Sequence, residues 1–192
     1  MTYFLLPDLV YDRKELVEYA LSYNDWMYYG RGRFSIYIGL PKRELIIPIA
    51  TKFKNPKELF KKIELNLVKA NGIVFPHTDN DRNLTMNLPL LGDFKNSTLD
   101  LYKAPTDSGI ASSDLQGPGA QDDDLKKSGK LYPHAELVDQ VPYEVPVCFD
   151  TQEIHGVTNA TNEDRYILSL SFKQEFTYEK IKDMYEYGEL LV

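Results

Sequence analysis

Three histidines, one cysteine and one tryptophan are all that 192 residues supply of these types. A lone cysteine, Cys148 in the apolar run Val145-Pro-Val-Cys-Phe149, has no partner within the chain, so a disulfide framework is excluded and a reducing, cytoplasmic setting is expected. Nowhere do about 18 apolar residues follow one another, which argues against a membrane-spanning helix. Positive charge is also short: Lys and Arg number 22 against 29 Asp and Glu, a formal net charge of −7, so bulk electrostatics do not favour nucleic acid as a partner. The first residues, Met-Thr-Tyr-Phe-Leu-Leu-Pro-Asp, carry no basic segment ahead of an apolar one, and no signal peptide is expected. Gly30-Arg-Gly32 lacks the third glycine and the following helix of a dinucleotide fingerprint.

What is present is an ordinary globular balance, 43% hydrophobic and 27% charged, enough for one domain with a full core. Residues 3–6 read as a short strand. Asp12-Arg-Lys-Glu15 has the form of a capping box ahead of Leu16, Val17, Ala20 and Leu21, an amphipathic helix whose apolar stripe needs a sheet to cover. Asn55-Pro56-Lys57-Glu58 signals a second helix of a few turns, ending before Asn66. From there period-two alternation dominates: Ile63, Leu65 and Leu67, then Leu84, Met86, Leu88 and Leu90, then Leu99 and Leu101. Asn71-Gly72 between the first of these runs and Ile73-Val-Phe75 predicts a hairpin. If the leucines of 84–90 lie under helices, Asn87 points the other way, into the interior. Asp100 and Tyr102 are read as cavity residues by the same alternation. Residues 104–131 lose all periodicity and are rich in Gly, Ser, Asp, Pro and Lys, the signature of either a lid or a passive insertion. Thr177 caps a last helix that Gly188 ends. The expected organisation is a single domain: helices and strands over 1–62, an all-strand core over 63–173, and a helix over 174–192.

Two of the three histidines sit in informative places. In Phe75-Pro76-His77-Thr78-Asp79, His77 and Asp79 are two apart, so on a strand both side chains leave one face. Two imidazoles and one carboxylate on one side of an ion leave its other side open, the arrangement that suits non-haem Fe(II), and His155 is the candidate third ligand. The pair alone is weak: acidic residues are 29 of 192, so about one histidine in seven meets one two positions on, and His134-Ala-Glu136 does so as well. Arg165 adds weight. In Arg165-Tyr-Ile-Leu-Ser-Leu-Ser-Phe172 the apolar residues Tyr166, Leu168, Leu170 and Phe172 share one face and Arg165 the other. An inward guanidinium requires an anion, either an internal partner such as Asp150 or Asp79 or a bound dicarboxylate, because an unpaired buried charge costs several kcal/mol.

His77-x-Asp79, His155 and Arg165 ten residues later together resemble the Fe(II)- and 2-oxoglutarate-dependent oxygenase superfamily, prolyl hydroxylases among them, over roughly Leu65 to Phe172. The resemblance implies a mainly β fold with flanking helices: a double-stranded β-helix of the jelly-roll or cupin-like kind, with the N-terminal helices packed on the larger sheet. It implies that His77, Asp79 and His155 hold Fe(II), that Arg165 binds the distal carboxylate of 2-oxoglutarate, and that dioxygen is the oxidant. A hydroxylase of this kind converts 2-oxoglutarate to succinate and carbon dioxide. Asn87 is expected to contact cosubstrate or substrate. Many members carry a hydroxyl residue two places after the arginine; here that place is Ile167, and Ser169 or a residue of another strand must stand in. Two other readings stay open at this stage: a cupin-like metal enzyme that does not use 2-oxoglutarate, and a non-catalytic jelly-roll binding module. The substrate, whether peptide, amino acid or small metabolite, and the oligomeric state are not legible.

Overall fold

The structure is a computed structural model that describes residues 2–28, 36–105, 108–111 and 128–192. In chain order its strands are β1 (Tyr3–Leu5), β2 (Met27–Tyr28), β3 (Ile36–Gly39), β4 (Phe60–Val68), β5 (Ile73–Asp79), β6 (Leu84–Leu91), β7 (Ser97–Lys103), β8 (Ile110–Ala111), β9 (Ser128–Leu131), β10 (Glu136–Val141), β11 (Val147–Asp150), β12 (His155–Asn159) and β13 (Arg165–Phe172). Its helices are α1 (Lys14–Ser22), α2 (Arg43–Ala50), α3 (Pro56–Leu59) and α4 (Tyr178–Glu186). The Gly30-Arg-Gly32 turn and the middle of the 104–131 loop, with Asp122-Asp-Asp124, lie outside the described residues.

The strands form two antiparallel sheets. The larger runs β1-β11-β6-β13-β4-β3-β2 and the smaller β10-β7-β12-β5-β9-β8. From β4 to β7, and again from β10 to β13, successive strands alternate between the two sheets, which winds the chain into a double-stranded β-helix. The alternation in sequence serves this winding directly. On β6 the even residues Leu84, Met86, Leu88 and Leu90 join Leu65, Leu168, Leu170 and Phe172 on the outer face of the larger sheet, where Leu16 and Ala20 of α1, Ile49 of α2, Leu59 of α3 and Ile181 of α4 cover them. Each such side chain contributes roughly 1.5–3 kcal/mol on burial. Between the sheets a second, smaller core gathers Phe94, Leu99, Leu101, Tyr143, Val147, Phe149 and Ile167. The inner face of the larger sheet is therefore left to the odd residues of β13 and β6, Arg165 to Ser171 and Thr85 to Pro89.

Two local expectations are corrected. Asn71-Gly72 does not close a hairpin, because β4 and β5 belong to different sheets: β4 pairs with β13 and β3, and β5 with β12 and β9. Asn71 adopts a left-handed conformation, φ 57°, and turns the chain from one sheet to the other, its N–H bonded to the Thr161 carbonyl. The helix after Asn55 lasts one turn; Asn55 is itself left-handed, φ 57°, and makes no side-chain cap, and from Phe60 on the alternating residues pair with β13 instead. Tertiary pairing here overrides a local helix signal. Conversely α2 was not anticipated, because Pro48 lies inside it and reads as a breaker. The Thr177 cap is present, its side chain accepting from the Lys180 N–H, and Gly188 follows α4 with φ 67°.

Candidate metal centre

β5 and β12 are neighbours in the smaller sheet, and their register sets His77 directly opposite His155. Asp79 ends β5 on the same side as His77. The two imidazole centroids lie 4.3 Å apart. His77 Nε2 is 3.7 Å from Asp79 Oδ1, and His155 Nε2 is 4.0 Å from Asp79 Oδ2. One ligand atom from each of the three residues falls within 4.8 Å of the other two. The Nδ1 atoms point away from this focus: His77 Nδ1 is 2.7 Å from the Phe75 carbonyl and His155 Nδ1 is 2.9 Å from the Glu153 carbonyl. A carbonyl can only accept, so each Nδ1 carries a proton and each Nε2 faces Asp79. Binding of a metal through Nε2 needs this orientation of the rings, and the backbone sets it.

Burial drives the His155 pKa down to about 3, helped by the neighbouring His77, so its imidazole is neutral across the working range. Asp79 experiences opposing effects. Burial pushes its carboxyl up, but the Arg82 guanidinium and the two imidazoles outweigh it and hold the group well below the usual carboxylate range. Arg82 Nε donates to Asp79 Oδ2 at 2.6 Å. The segment carrying both residues is laced to the approach to β12: Asp79 N–H donates to the Thr151 carbonyl, Thr151 Oγ1 donates to the Arg82 carbonyl, and Gln152 Nε2 donates to the carbonyls of both Asp79 and Arg82. Two stretches about 75 residues apart in sequence are thereby fixed relative to each other, the histidine of one against the His-Asp pair of the other.

Arg165 opens β13 in the opposite sheet and is fully buried. Its Nη1 donates to Ser97 Oγ and to the Thr98 carbonyl, both at 3.2 Å, and its Nη2 donates to the Tyr143 hydroxyl. The guanidinium packs against the rings of Phe94 and Tyr143, 5.2 and 4.9 Å from their centroids. Among the described residues no carboxylate lies within ion-pairing distance, so neither Asp150 nor Asp79 serves as its partner. Nε has no hydrogen-bond partner among the described residues. Of the five N–H donors of an arginine, Nε–H and one on Nη2 thus have no partner among them. Nε and Nη2 are the pair of nitrogens that can present a carboxylate-matched fork. Thr98 lies three residues along β7 from Leu101, the register partner of His155, so the fork stands about 10 Å along the strand from the histidine pair. Between them the inner wall of the larger sheet is polar. Among the described residues Asn87 Oδ1 and Thr85 Oγ1 are buried without partners, and Ser169 and Ser171 are their register neighbours on β13.

No protein-family model matches the sequence, and no curated protein matches it. Solved structures do. The epimerase SnoN from nogalamycin biosynthesis, in complex with Fe3+, alpha-ketoglutarate and nogalamycin RO, superposes with a TM-score of 0.55 at 15% identity, over 90% of this chain and 79% of that one. A Trichoplax adhaerens prolyl hydroxylase, in complex with a hypoxia-inducible-factor peptide fragment, gives 0.53 at 10% identity over 94% and 86%. An oxidoreductase of the 2OG-Fe(II) oxygenase family from Burkholderia pseudomallei gives 0.51 at 11% identity over 93% and 87%. The fold is that of the Fe(II)- and 2-oxoglutarate-dependent oxygenases.

Within this oxygenase fold the structure brings together His77, Asp79 and His155, and it turns Arg165 and Asn87 inward from the other sheet. Ile167 is inward as well, buried among Leu99, Leu101 and Phe149, which explains why an apolar side chain stands there. Asp100 and Tyr102 are not cavity residues. Leu99 and Leu101 take the inner face of β7, so Asp100 lies on the outer face, held by Thr98 Oγ1 at 2.6 Å, Thr158 Oγ1 at 2.5 Å, Gln140 Nε2 at 3.1 Å and the Tyr102 hydroxyl at 3.3 Å. His134 is exposed between β9 and β10, apart from the other two histidines. Sequence reasoning missed Arg82, Ser97, Thr85 and Tyr143. Only Arg82 had a signal, a cation three residues beyond the candidate carboxylate. No described helix is long and apolar enough to cross a membrane.

Proposed function

We propose that this chain is a non-haem iron oxygenase in which His77, Asp79 and His155 hold Fe(II) and Arg165 anchors the distal carboxylate of 2-oxoglutarate, with hydroxylation of a peptide or small-molecule substrate as the reaction. The single observation that carries this reading is the buried Arg165 guanidinium, which among the described residues has no acid beside it and no partner for its Nε–H. A buried, uncompensated cation costs several kcal/mol, and a dicarboxylate cosubstrate supplies the missing charge. The donor set fits iron: two imidazoles whose Nδ1 atoms are held by backbone carbonyls and whose Nε2 atoms face one ionised carboxylate. When bound, iron and 2-oxoglutarate supply the oxidation of a C–H bond by dioxygen, with succinate and carbon dioxide as coproducts.

The chain's own residues do the rest. Asp79 offsets part of the charge of the ion. Arg165 orients the cosubstrate by one end so that its 2-oxo end is directed along the polar wall of Asn87 and Thr85 toward the histidines. Phe149, edge-on to the His155 ring at 5.2 Å, keeps water from one side of the site. No side chain is needed as a general base.

Anaerobic addition of Fe(II) and then 2-oxoglutarate should develop the visible charge-transfer band of the chelate. Arg165→Ala should keep its iron and weaken 2-oxoglutarate binding by a factor of about 100 or more, the loss of a bidentate charged contact. Equal cosubstrate affinity in both proteins would remove Arg165 from the site. Asp79→Ala should lose the metal itself. Hydroxylation, as against another oxidation, is checked by mass analysis of a turned-over substrate, which should gain one oxygen atom.

A further inference from the structure

Arg82 stands at the end of the turn that leaves β5, and its two ends are fixed to different parts of the fold. Its carbonyl accepts from Thr151 Oγ1 at 2.8 Å and from Gln152 Nε2 at 2.9 Å. Its guanidinium is tied by Nη1 to Ser171 Oγ of β13 at 2.9 Å and lies 4.0 Å from the Glu64 carboxylate. Between these anchors Nε donates to Asp79 Oδ2 at 2.6 Å, a short charge-assisted bond. The other oxygen, Oδ1, makes the 3.7 Å approach to His77 Nε2. Oδ2 also lies 4.0 Å from His155 Nε2, but it alone carries the guanidinium bond, so the carboxylate is held by one oxygen and presents the other to the cluster.

That division matters for a metal. A carboxylate binds a divalent ion through one oxygen or through both. With two imidazoles, two-oxygen binding fills four of six positions and leaves two. A chelating 2-oxo acid needs two positions and dioxygen a third. We propose that Arg82 is a positioning residue of the metal centre: by holding Oδ2 on an anchored guanidinium it confines Asp79 to a single metal bond through Oδ1 and keeps three positions of the ion free. This rests on the assignment of His77, Asp79 and His155 as ligands. A guanidinium that only neutralises a buried carboxylate would affect affinity without affecting the number of open positions, so the two roles separate on a count.

The count is made with Mn(II), whose bound waters are read from water-proton relaxation. The wild-type protein should carry three waters on the ion. Arg82→Met should carry two, as Asp79 swings to bind through both oxygens, and should bind Mn(II) about 10- to 100-fold more weakly. Arg82→Lys, which restores a cation to Oδ2, should return the count to three. Three waters in Arg82→Met, at whatever affinity, overturn the proposal. Two waters in the wild type overturn it too, and that measurement decides the matter even if Arg82→Met does not fold. A wild-type protein that binds no Mn(II), Co(II) or Fe(II) overturns the ligand assignment itself, a failure distinct from a wrong water count on a bound ion.

Discussion

The Tyr102 phenol is pushed up to about 12, first by burial and then by the negative charge of Asp100, whose Oδ2 its hydroxyl approaches. A phenol that ionises at 10.0 in the unfolded chain and near 12 in the folded one leaves the folded state holding the extra proton between those values. Stability tied to this group is therefore intact below pH 10 and is lost as pH rises toward 12. Thermal melts across this window should show an alkaline loss that Tyr102→Phe reduces, and ultraviolet titration to pH 11 should count the same number of tyrosinates in wild type and variant, because Tyr102 keeps its proton there. The same cluster marks a limit of sequence reading. The alternation of Thr98 to Tyr102 shows that Asp100 and Leu99 face opposite ways but not which way is inward, and only the packing of Leu99 and Leu101 against Val147 and Phe149 decides it. The shared face of His77 and Asp79 and the inward turn of Arg165 could be read because each is a local constraint, a two-residue spacing or an alternation along a strand, whereas His155 was a candidate through the resemblance and not through any local pattern. Tyr143 and Ser97 could not be read. Each meets Arg165 only after 22 and 68 residues of chain have been folded back.

At the scale of elements, periodicity identified the strands of the core but not their sheets. β4 and β5 look like a hairpin because Asn71-Gly72 favours one. They separate because β4 gains more by setting Leu65 opposite Leu168 of β13 under the helices. The pairing that matters for the site is β5 with β12, and it is irregular: the register shifts between His155 and Val157. Gly156 sits at that irregularity, where an added Cβ would lie 2.6 Å from the Val74 carbonyl and 3.2 Å from the Tyr102 ring. A backbone oxygen cannot move aside without taking β5 with it. Gly156→Ala should thus destabilise the fold by about 1–3 kcal/mol, read as a lower urea midpoint with an unchanged slope. Because His77 and His155 face each other one residue away, it should also weaken metal binding. A variant with a wild-type midpoint and wild-type metal affinity would show that the two strands already have slack there.

At the scale of the molecule, the proposed site draws on both sheets, which Arg165 already links by its bonds to Ser97 and Thr98 of β7. The three candidate ligands all belong to β5 and β12 in the smaller sheet, whereas Arg165 belongs to β13 in the larger one. On the proposed function, metal alone should consequently stiffen the middle of the smaller sheet, and cosubstrate should tie those strands to the sheet opposite through a guanidinium that has no acid beside it among the described residues. On the proposed function both bind the folded state and not the unfolded one, so each should raise stability by mass action, by about 2.7 kcal/mol at a hundred times its Kd. For a chain of this length that corresponds to roughly 5–10 °C in Tm per ligand. Thermal melts under anaerobic conditions should then rise in two steps, first with metal and again with 2-oxoglutarate. The steps divide by residue. Asp79→Ala should lose both, because without the ion the 2-oxo end has nothing to chelate, and Arg165→Ala should keep the first and lose most of the second. A second step of equal size in Arg165→Ala would mean that the cosubstrate never reaches across to β13.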